Sequence, residues 1–398
     1  MARADRPLTM PAWSDLLPRL TEQPRENGSA ALHETAAWLV ETLEGMGLDV
    51  ATVAYTAHPY RLRIAGLLAA LGGLLYAWCL RRRRPLPALL IAVALPAVLL
   101  LELDRYVPIV SWIGATPQHH VVATLPAQAP TQRLILAAHY DTKTDLLDHV
   151  QRAPIELLGV PVTLFMIGAA AWSARSRYRT RPLPRVARIA AGLAVVYGLG
   201  LFASLAGGML VRARSPGALD DGAAVAVLVR LAERLKASGA LPHTDVEILL
   251  LSGEEVGVQG SWEYARHRFA QPPELPTAVI NLEAIGAAQH LAVFGSERFQ
   301  LRGFPPDAEL VALLDAVHRQ QYQTPLHVTW YGAATDARSF LAHGVPAATL
   351  SSDLPDHAFA RGMHSAADSA DRVDVATLDA TLAYLEAVTR AADQRGLR

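Results

Sequence analysis

Four apolar runs, arranged as two pairs, dominate what this chain can fold into. Ile64–Leu80 is unbroken and ends in Arg81–Arg84. Leu86–Leu101 follows, with Pro96 in its middle. Leu157–Ala174 is the third run, and Ile189–Val211, at 23 residues, is the fourth and longest. A helix rises about 1.5 Å per residue and the hydrocarbon layer is about 30 Å thick, so about 20 apolar residues cross it. The first three runs are a little short and need flanking residues or local bilayer thinning. One such run also suits a buried helix of a soluble core. Four runs, paired and joined by basic links, fit two transmembrane hairpins. Composition agrees, with 52% hydrophobic and 18% charged residues in a chain of 398.

The links set an orientation. The link at 81–86 carries Arg81, Arg82, Arg83 and Arg84. The link at 175–188 carries Arg175, Arg177, Arg179, Arg181, Arg185 and Arg188. The stretch 104–156 holds only Arg105, Arg133, Lys143 and Arg152. Positive loops stay in the cytoplasm, so both hairpin tips are expected there and the rest, including the first 60 residues, outside. The opening MARADRPLTMPAWSDLLPRL lacks the apolar core of a cleaved signal, so export is expected to be driven by a later segment. Richness in Ala, Leu, Arg and Pro suggests a high-GC bacterium, and the spans are then expected in its inner membrane. A net charge of −1 creates no field favouring nucleic acid, and Cys79, the single cysteine, has no intrachain partner.

Outside the apolar runs the pattern is that of an α/β domain covered on both faces. Ala30–Met46 has helical periodicity and stops at Gly47. Asp49–Ala54, Arg133–Ala138, Asp245–Leu251, Thr277–Leu282 and Val345–Leu350 are expected as strands. Ala223–Leu235, Ala308–Arg319 and Val375–Ala392 are expected as helices. This divides the chain into 1–60, a first hairpin at 61–104, a segment 105–156, a second hairpin at 157–211, and 212–398.

Acids and histidines collect at the strand ends. His139 and Asp141 follow the 133–138 strand, Glu254 and Glu255 follow 245–251, and Glu283 follows 277–282. Asp220 and Asp221 precede a helix. In open α/β sheets the carboxyl ends of strands form the site. A carboxylate flanked by buried strand residues is costly unless paired or metal-bound, and repetition at several strands favours a metal centre. Imidazole and carboxylate without thiolate suit zinc, with cobalt or manganese also compatible. A two-metal site activates water and polarises a carbonyl, and it needs a base that is not itself a ligand. The pair Glu254–Glu255 offers both roles.

In this order, H-Y-D at 139–141, L-D-D-G at 219–222, S-G-E-E-V-G at 252–257, N-L-E-A-I-G at 281–286 and M-H-S-A-A-D-S-A-D-R-V-D at 363–374 resemble the M28 family of zinc aminopeptidases. Gly28–Val50 is similar to that family's first helix and strand. The match covers about 30–60 and 130–390. The resemblance implies a three-layer α/β/α zinc-peptidase domain with a mixed, mostly parallel sheet, interrupted by the hairpins. It implies two Zn2+, one held by His139 and Glu283 and the other by Glu255 and His364, with Asp220 bridging. Asp141 would orient His139, Glu254 would be the general base, and the Asp220–Asp221 bond resembles the family's cis non-proline peptide. The implied substrates are the N-termini of peptides, and the implied partner of the hairpins is the lipid bilayer.

The chain departs from the family pattern at Asp221-Gly222-Ala223-Ala224 and at Thr335-Asp336-Ala337-Arg338-Ser339-Phe340, which lacks a histidine. Asp336 reads either as part of the site or as a loop cap. His119 and His120 are expected just before a strand, at the surface. Trp330, Tyr331 and Phe359 read as pocket or core. A single-zinc glutaminyl cyclase and a metal-free membrane scaffold remain alternatives. The cyclase does not need His139 and Glu283 as ligands, and the scaffold predicts lost ligands.

Overall fold

A computed structural model of the chain describes residues 12–176, 184–287, 291–299, 302–329, 334–352 and 362–397. In chain order the elements are α1 (Trp13–Thr21), α2 (Ala30–Gly45), β1 (Asp49–Ala57), α3 (Arg61–Arg81), α4 (Pro85–Leu103), β2 (Thr116–Leu125), β3 (Gln132–His139), α5 (His149–Leu157), α6 (Gly159–Arg175), α7 (Arg185–Leu205), α8 (Ala223–Ser238), β4 (Thr244–Leu251), α9 (Gln259–Arg268), β5 (Thr277–Glu283), β6 (Leu291–Val293), β7 (Glu297–Phe299), β8 (Arg302–Phe304), α10 (Ala308–Tyr322), β9 (His327–Val328), α11 (Ala337–Ala342), β10 (Ala347–Ser352) and α12 (Val375–Arg395). They sort into two compact units interleaved in sequence. One comprises the chain through Ala57, Thr116–Lys143 and Ser215 onward. The other comprises His58–Ala115 and Thr144–Arg214. The segments 105–115 and 144–156, grouped with the α/β domain in the sequence reading, cluster with the apolar helices instead.

The α/β unit is built on an eight-stranded sheet in the order β1-β2-β4-β3-β5-β10-β6-β9. Its centre, β4-β3-β5-β10, is parallel, and β1 and β2 add antiparallel at one side. The period of two explains the layers. Leu134, Leu136 and Ala138 of β3, with Ile248 of β4 and Ile280 of β5, pack on Leu228 of α8, Leu314 of α10 and Leu385 of α12. The intervening Ile135, Ala137, Leu249 and Val279 pack on Tyr264 of α9 and Phe340 of α11. Such strands are buried on both faces and read as continuous apolar runs. The parallel register pairs His139 with Leu251 and Ser351 with Glu283, so the carboxyl ends of the central strands finish together.

The second unit holds the apolar helices. Candidate spans are Arg61–Arg81, Pro85–Leu103, Val150–Arg175 and Arg185–Leu205, of 21, 19, 26 and 21 residues. The short runs are thus lengthened by their flanks. The fourth is shorter than expected, because the helix stops at Leu205 and a tight turn follows at Gly207–Leu210. The longest span is the third. Helices α3 and α7 pack antiparallel at glycines. A Cβ on Gly73 would lie 2.2 Å from the Ala194 carbonyl oxygen, one on Gly198 2.6 Å from that of Ala69, and one on Gly66 2.9 Å from the Ala206 Cβ. Small residues let helix backbones approach closely in an apolar solvent. Antiparallel packing puts Arg81–Arg84 and Arg185 at the same end of this unit.

Candidate metal centre

Three strand ends and two loops converge here. His139 is the last residue of β3, Glu283 the last of β5, and Glu254 and Glu255 lie in the turn after β4. Asp220 lies in the bend before α8, where the Asp220–Asp221 peptide bond is cis, and His364 lies in the loop before α12. His364 and Ala284, which follows Glu283, have left-handed φ of 59° and 53°. Non-glycine residues held there cost of order 1–3 kcal/mol and concentrate at functional sites.

Two triads result, His139–Asp220–Glu283 and Asp220–Glu255–His364, sharing Asp220. His139 Nε2 lies 3.1 Å from Asp220 Oδ1 and 3.6 Å from Glu283 Oε1. His364 Nε2 lies 2.9 Å from Asp220 Oδ2 and 3.0 Å from Glu255 Oε2. Ligand atoms about 2.0–2.2 Å from a tetrahedral zinc stand about 3.3–3.6 Å apart, so the spacing is at or slightly inside that of a coordination shell. Among the described residues, His139 Nε2, Asp220 Oδ1, Glu255 Oε1 and Glu283 Oε2 are buried without a hydrogen-bond partner.

The electrostatics point the same way. Burial pushes the Glu283 carboxyl up to about 7, despite His139, and pushes Glu255 and Glu254 upward as well. Burial also works to raise Asp220, but the imidazoles of His139 and His364 outweigh it and hold Asp220 well below the usual range. A divalent cation would return such crowded carboxyls to the anionic form. The residues present therefore fit a metal pair. Glu254 belongs to neither triad.

Buried carboxylates that are not in the triads fix the loops. Asp141 Oδ2 accepts from the Glu255 N–H at 3.0 Å and from the Asn27 amide at 2.6 Å, and Oδ1 accepts from the Glu254 N–H at 3.3 Å. Its main-chain oxygen, 3.1 Å from His139 Nδ1, is the nearer contact to that ring, the carboxylate being 3.6 Å away. Asp141 thus holds His139 through its backbone and the Glu254–Glu255 turn through its side chain. Asp221 accepts from the N–H groups of His139 and Ala284, and Asp368 from those of Leu219 and Asp220.

Arg25 is a residue the sequence reading missed. It is buried, and its guanidinium donates to the carbonyls of Tyr140 at 2.7 Å, Pro216 at 2.8 Å and Gly217 at 3.0 Å. It joins the loop after His139 to the loop before Asp220. Gly217, at φ 63°, leaves the room, since a Cβ there would meet Thr142 Cγ2 at 2.2 Å. Burial lowers Arg25 to about 10, opposed by Asp141, Asp368, Asp221 and Asp220. An Arg before Glu-Asn-Gly-Ser carries no local signal of this role.

Two readings are corrected. His119 and His120 do not precede β2 but lie within it, and His120 is fully buried. Its Nδ1 accepts from the Ser252 N–H at 3.3 Å and its ring stacks on Tyr55 at 4.5 Å, so it supports the strand end ahead of Glu254. Asp336 makes no capping bond at the start of α11. It is buried, neither oxygen has a hydrogen-bond partner among the described residues, and burial pushes it up to about 7. Trp330, Tyr331 and Phe359 lie outside the described residues.

Comparison with known proteins bears on the fold. No curated protein matches the chain in sequence. The fold is that of the Legionella pneumophila LapA aminopeptidase, at 14% identity and a TM-score of 0.53, covering 96% of this chain and 70% of that one. It is equally that of the Porphyromonas gingivalis glutaminyl cyclase, at 16% identity and a TM-score of 0.53, with 96% of each chain covered. A Zn-dependent exopeptidase from Parabacteroides distasonis matches at 15% identity and a TM-score of 0.53, with 95% of this chain and 96% of that one covered. The model of peptidase family M28 matches residues 204–389, the segment that carries Asp220, Glu255, Glu283 and His364.

Proposed function

We propose that the protein is a membrane-seated dinuclear zinc exopeptidase that removes N-terminal residues from peptides outside the cytoplasm. The observation that carries this reading is Asp220, whose two oxygens face His139 and His364 separately and so belong to two triads at once. His139 and Glu283 would hold one ion, Glu255 and His364 the other, and Asp220 both. Bound there, zinc would lower the pKa of water and polarise a scissile carbonyl. Glu254 takes the proton of the attacking water on its carboxylate and returns it to the leaving amine nitrogen. Asp141, fixed on the Glu254 and Glu255 N–H groups, keeps that carboxylate beside the ligand turn. The apolar helices are read as crossing the inner membrane with the Arg-rich links inside.

The cyclase fold neighbours support a second reading, a single-zinc glutaminyl cyclase. Hydrolysis of a panel of aminoacyl-anilides, run beside cyclisation of peptides with N-terminal Gln, separates the two. Chelator-sensitive release from free N-termini is the expected result. Cyclisation without hydrolysis would replace the peptidase reading.

A further inference from the structure

We infer that the loop 104–115, between α4 and β2, is a membrane-interface anchor whose apolar side chains sit in the headgroup–acyl boundary of the leaflet opposite the Arg81–Arg84 link. The inference rests on the reading of α3, α4, α6 and α7 as membrane spans.

The loop is built inside out. Val107, Ile109, Trp112 and Ile113 are exposed, Trp112 at 63% and Ile113 at 56%, while Asp104 and Ser111 of the same loop and Glu102 just before it are buried. Isolated exposed apolar residues are ordinary, but a cluster whose polar neighbours, the exposed Arg105 apart, are turned inward marks a binding surface. The inversion is held by polar bonds. Glu102 Oε2 accepts from the N–H groups of Ile109 at 2.7 Å and Val110 at 2.9 Å. The Arg61 guanidinium donates to the Glu102 carbonyl and lies 4.5 Å over the Tyr106 ring. His58 Nδ1 meets the Ser111 carbonyl at 3.0 Å. Tyr60 packs on Gly114, where a Cβ would lie 2.6 Å from the ring. The apolar residues are therefore presented on a fixed platform.

Continuity with the lipid-facing helix selects the occupant. Helix α4 has 19 residues, which rise about 28 Å, close to the hydrocarbon thickness. Its own exposed side chains include Leu86, Leu90, Val93 and Leu101. Its first residue adjoins the Arg link, so residue 104 emerges at the opposite boundary. Trp and Tyr, apolar with one polar atom, favour that layer.

The test uses the full chain in nanodiscs of phosphatidylcholine and phosphatidylglycerol, carrying Cys79→Ala and a polarity-sensitive fluorophore at Ile113→Cys or, separately, at Leu71→Cys. Leu71, 61% exposed in mid-α3, reports on the span itself. Nitroxides are placed on the lipid headgroup, just below it, or deep in the acyl chain. The expected result is blue-shifted emission at both positions, with Leu71→Cys quenched most by the deep nitroxide and Ile113→Cys by the one just below the headgroup. Deep quenching at Leu71 with water-like, unquenched emission at Ile113 overturns the anchor and leaves the spans intact. Blue-shifted but unquenched emission at Ile113 means that protein covers the loop, and it also overturns the anchor. Absence of quenching at both positions removes the membrane reading itself.

Discussion

Glu254 and Glu255 are neighbours in sequence, yet only Glu255 enters a triad. Replacing Glu254 should therefore separate metal binding from turnover. Glu254→Gln is expected to retain the zinc content of the parent and to lose about 10²–10⁴-fold in kcat, measured by metal analysis and anilide hydrolysis on the same preparation. Unchanged kcat would remove Glu254 from the base role. Arg25 tests the frame behind the site. Arg25→Lys keeps the charge, but one ammonium cannot reproduce the planar fork on three carbonyls. Zinc affinity in a chelator competition should weaken about 10–100-fold, the range typical of groups that orient ligands. Parent affinity with only a lower Tm would make Arg25 a residue of stability alone. Glu297, outside the triads but within electrostatic reach of Glu283, offers a pH test. Burial pushes its carboxyl up to about 7, although it accepts from the Thr335 N–H and hydroxyl. Between the ordinary Glu range and about 7 the unfolded chain ionises first, so stability falls as pH rises through that window, by about 3 kcal/mol in all. Glu297→Gln should flatten the fall in Tm between pH 5.5 and 8, as followed by thermal melts in detergent, while a slope equal to the parent's would locate the pH dependence elsewhere.

At the scale of elements, the contact between α3 and α7 depends on residues without side chains. Gly73→Val would drive a branched side chain into the Ala194 carbonyl, 2.2 Å from the Cβ position, whereas Leu71→Val changes only an exposed position of the same helix. Overpacking of this kind costs about 1–3 kcal/mol or more. Gly73→Val should lower the melting temperature in detergent by several degrees and Leu71→Val by little, and equal Tm values would show that the helices do not meet there. The central strands β3, β4 and β5 were legible because each carries a short, mostly apolar run with an ionisable residue at its end or within three residues beyond it. His139, Glu254, Glu255 and Glu283 were legible for the same reason. Of strand β2 only the part after His120 was legible, because Thr-Pro-Gln-His-His opens it with residues that together carry little strand signal. Helix α9 was missed because Gln-Gly-Ser-Trp-Glu-Tyr-Ala-Arg-His-Arg offers only a narrow apolar face. Arg25 is far from the site in sequence, and its partners are backbone carbonyls that no side-chain pattern encodes.

On the scale of the whole molecule, the chain interleaves an α/β unit with a helical one, so His139 and Asp220 come from opposite sides of a long apolar insertion. The site should nevertheless behave as one body, because Asp220 ties the triads and Arg25 and Asp368 tie the loops that carry them. Metal removal is expected to lower the Tm as well as to abolish hydrolysis, since ions bound only to the folded state stabilise it by mass action. The most direct test of the central claim is the metal content of the purified full-length protein, compared with Asp220→Ala. Two triads sharing Asp220 predict about two zinc ions per chain in the parent and loss of both in the variant. Retention of bound zinc after removal of Asp220, or a folded parent without stoichiometric metal, would contradict the dinuclear centre.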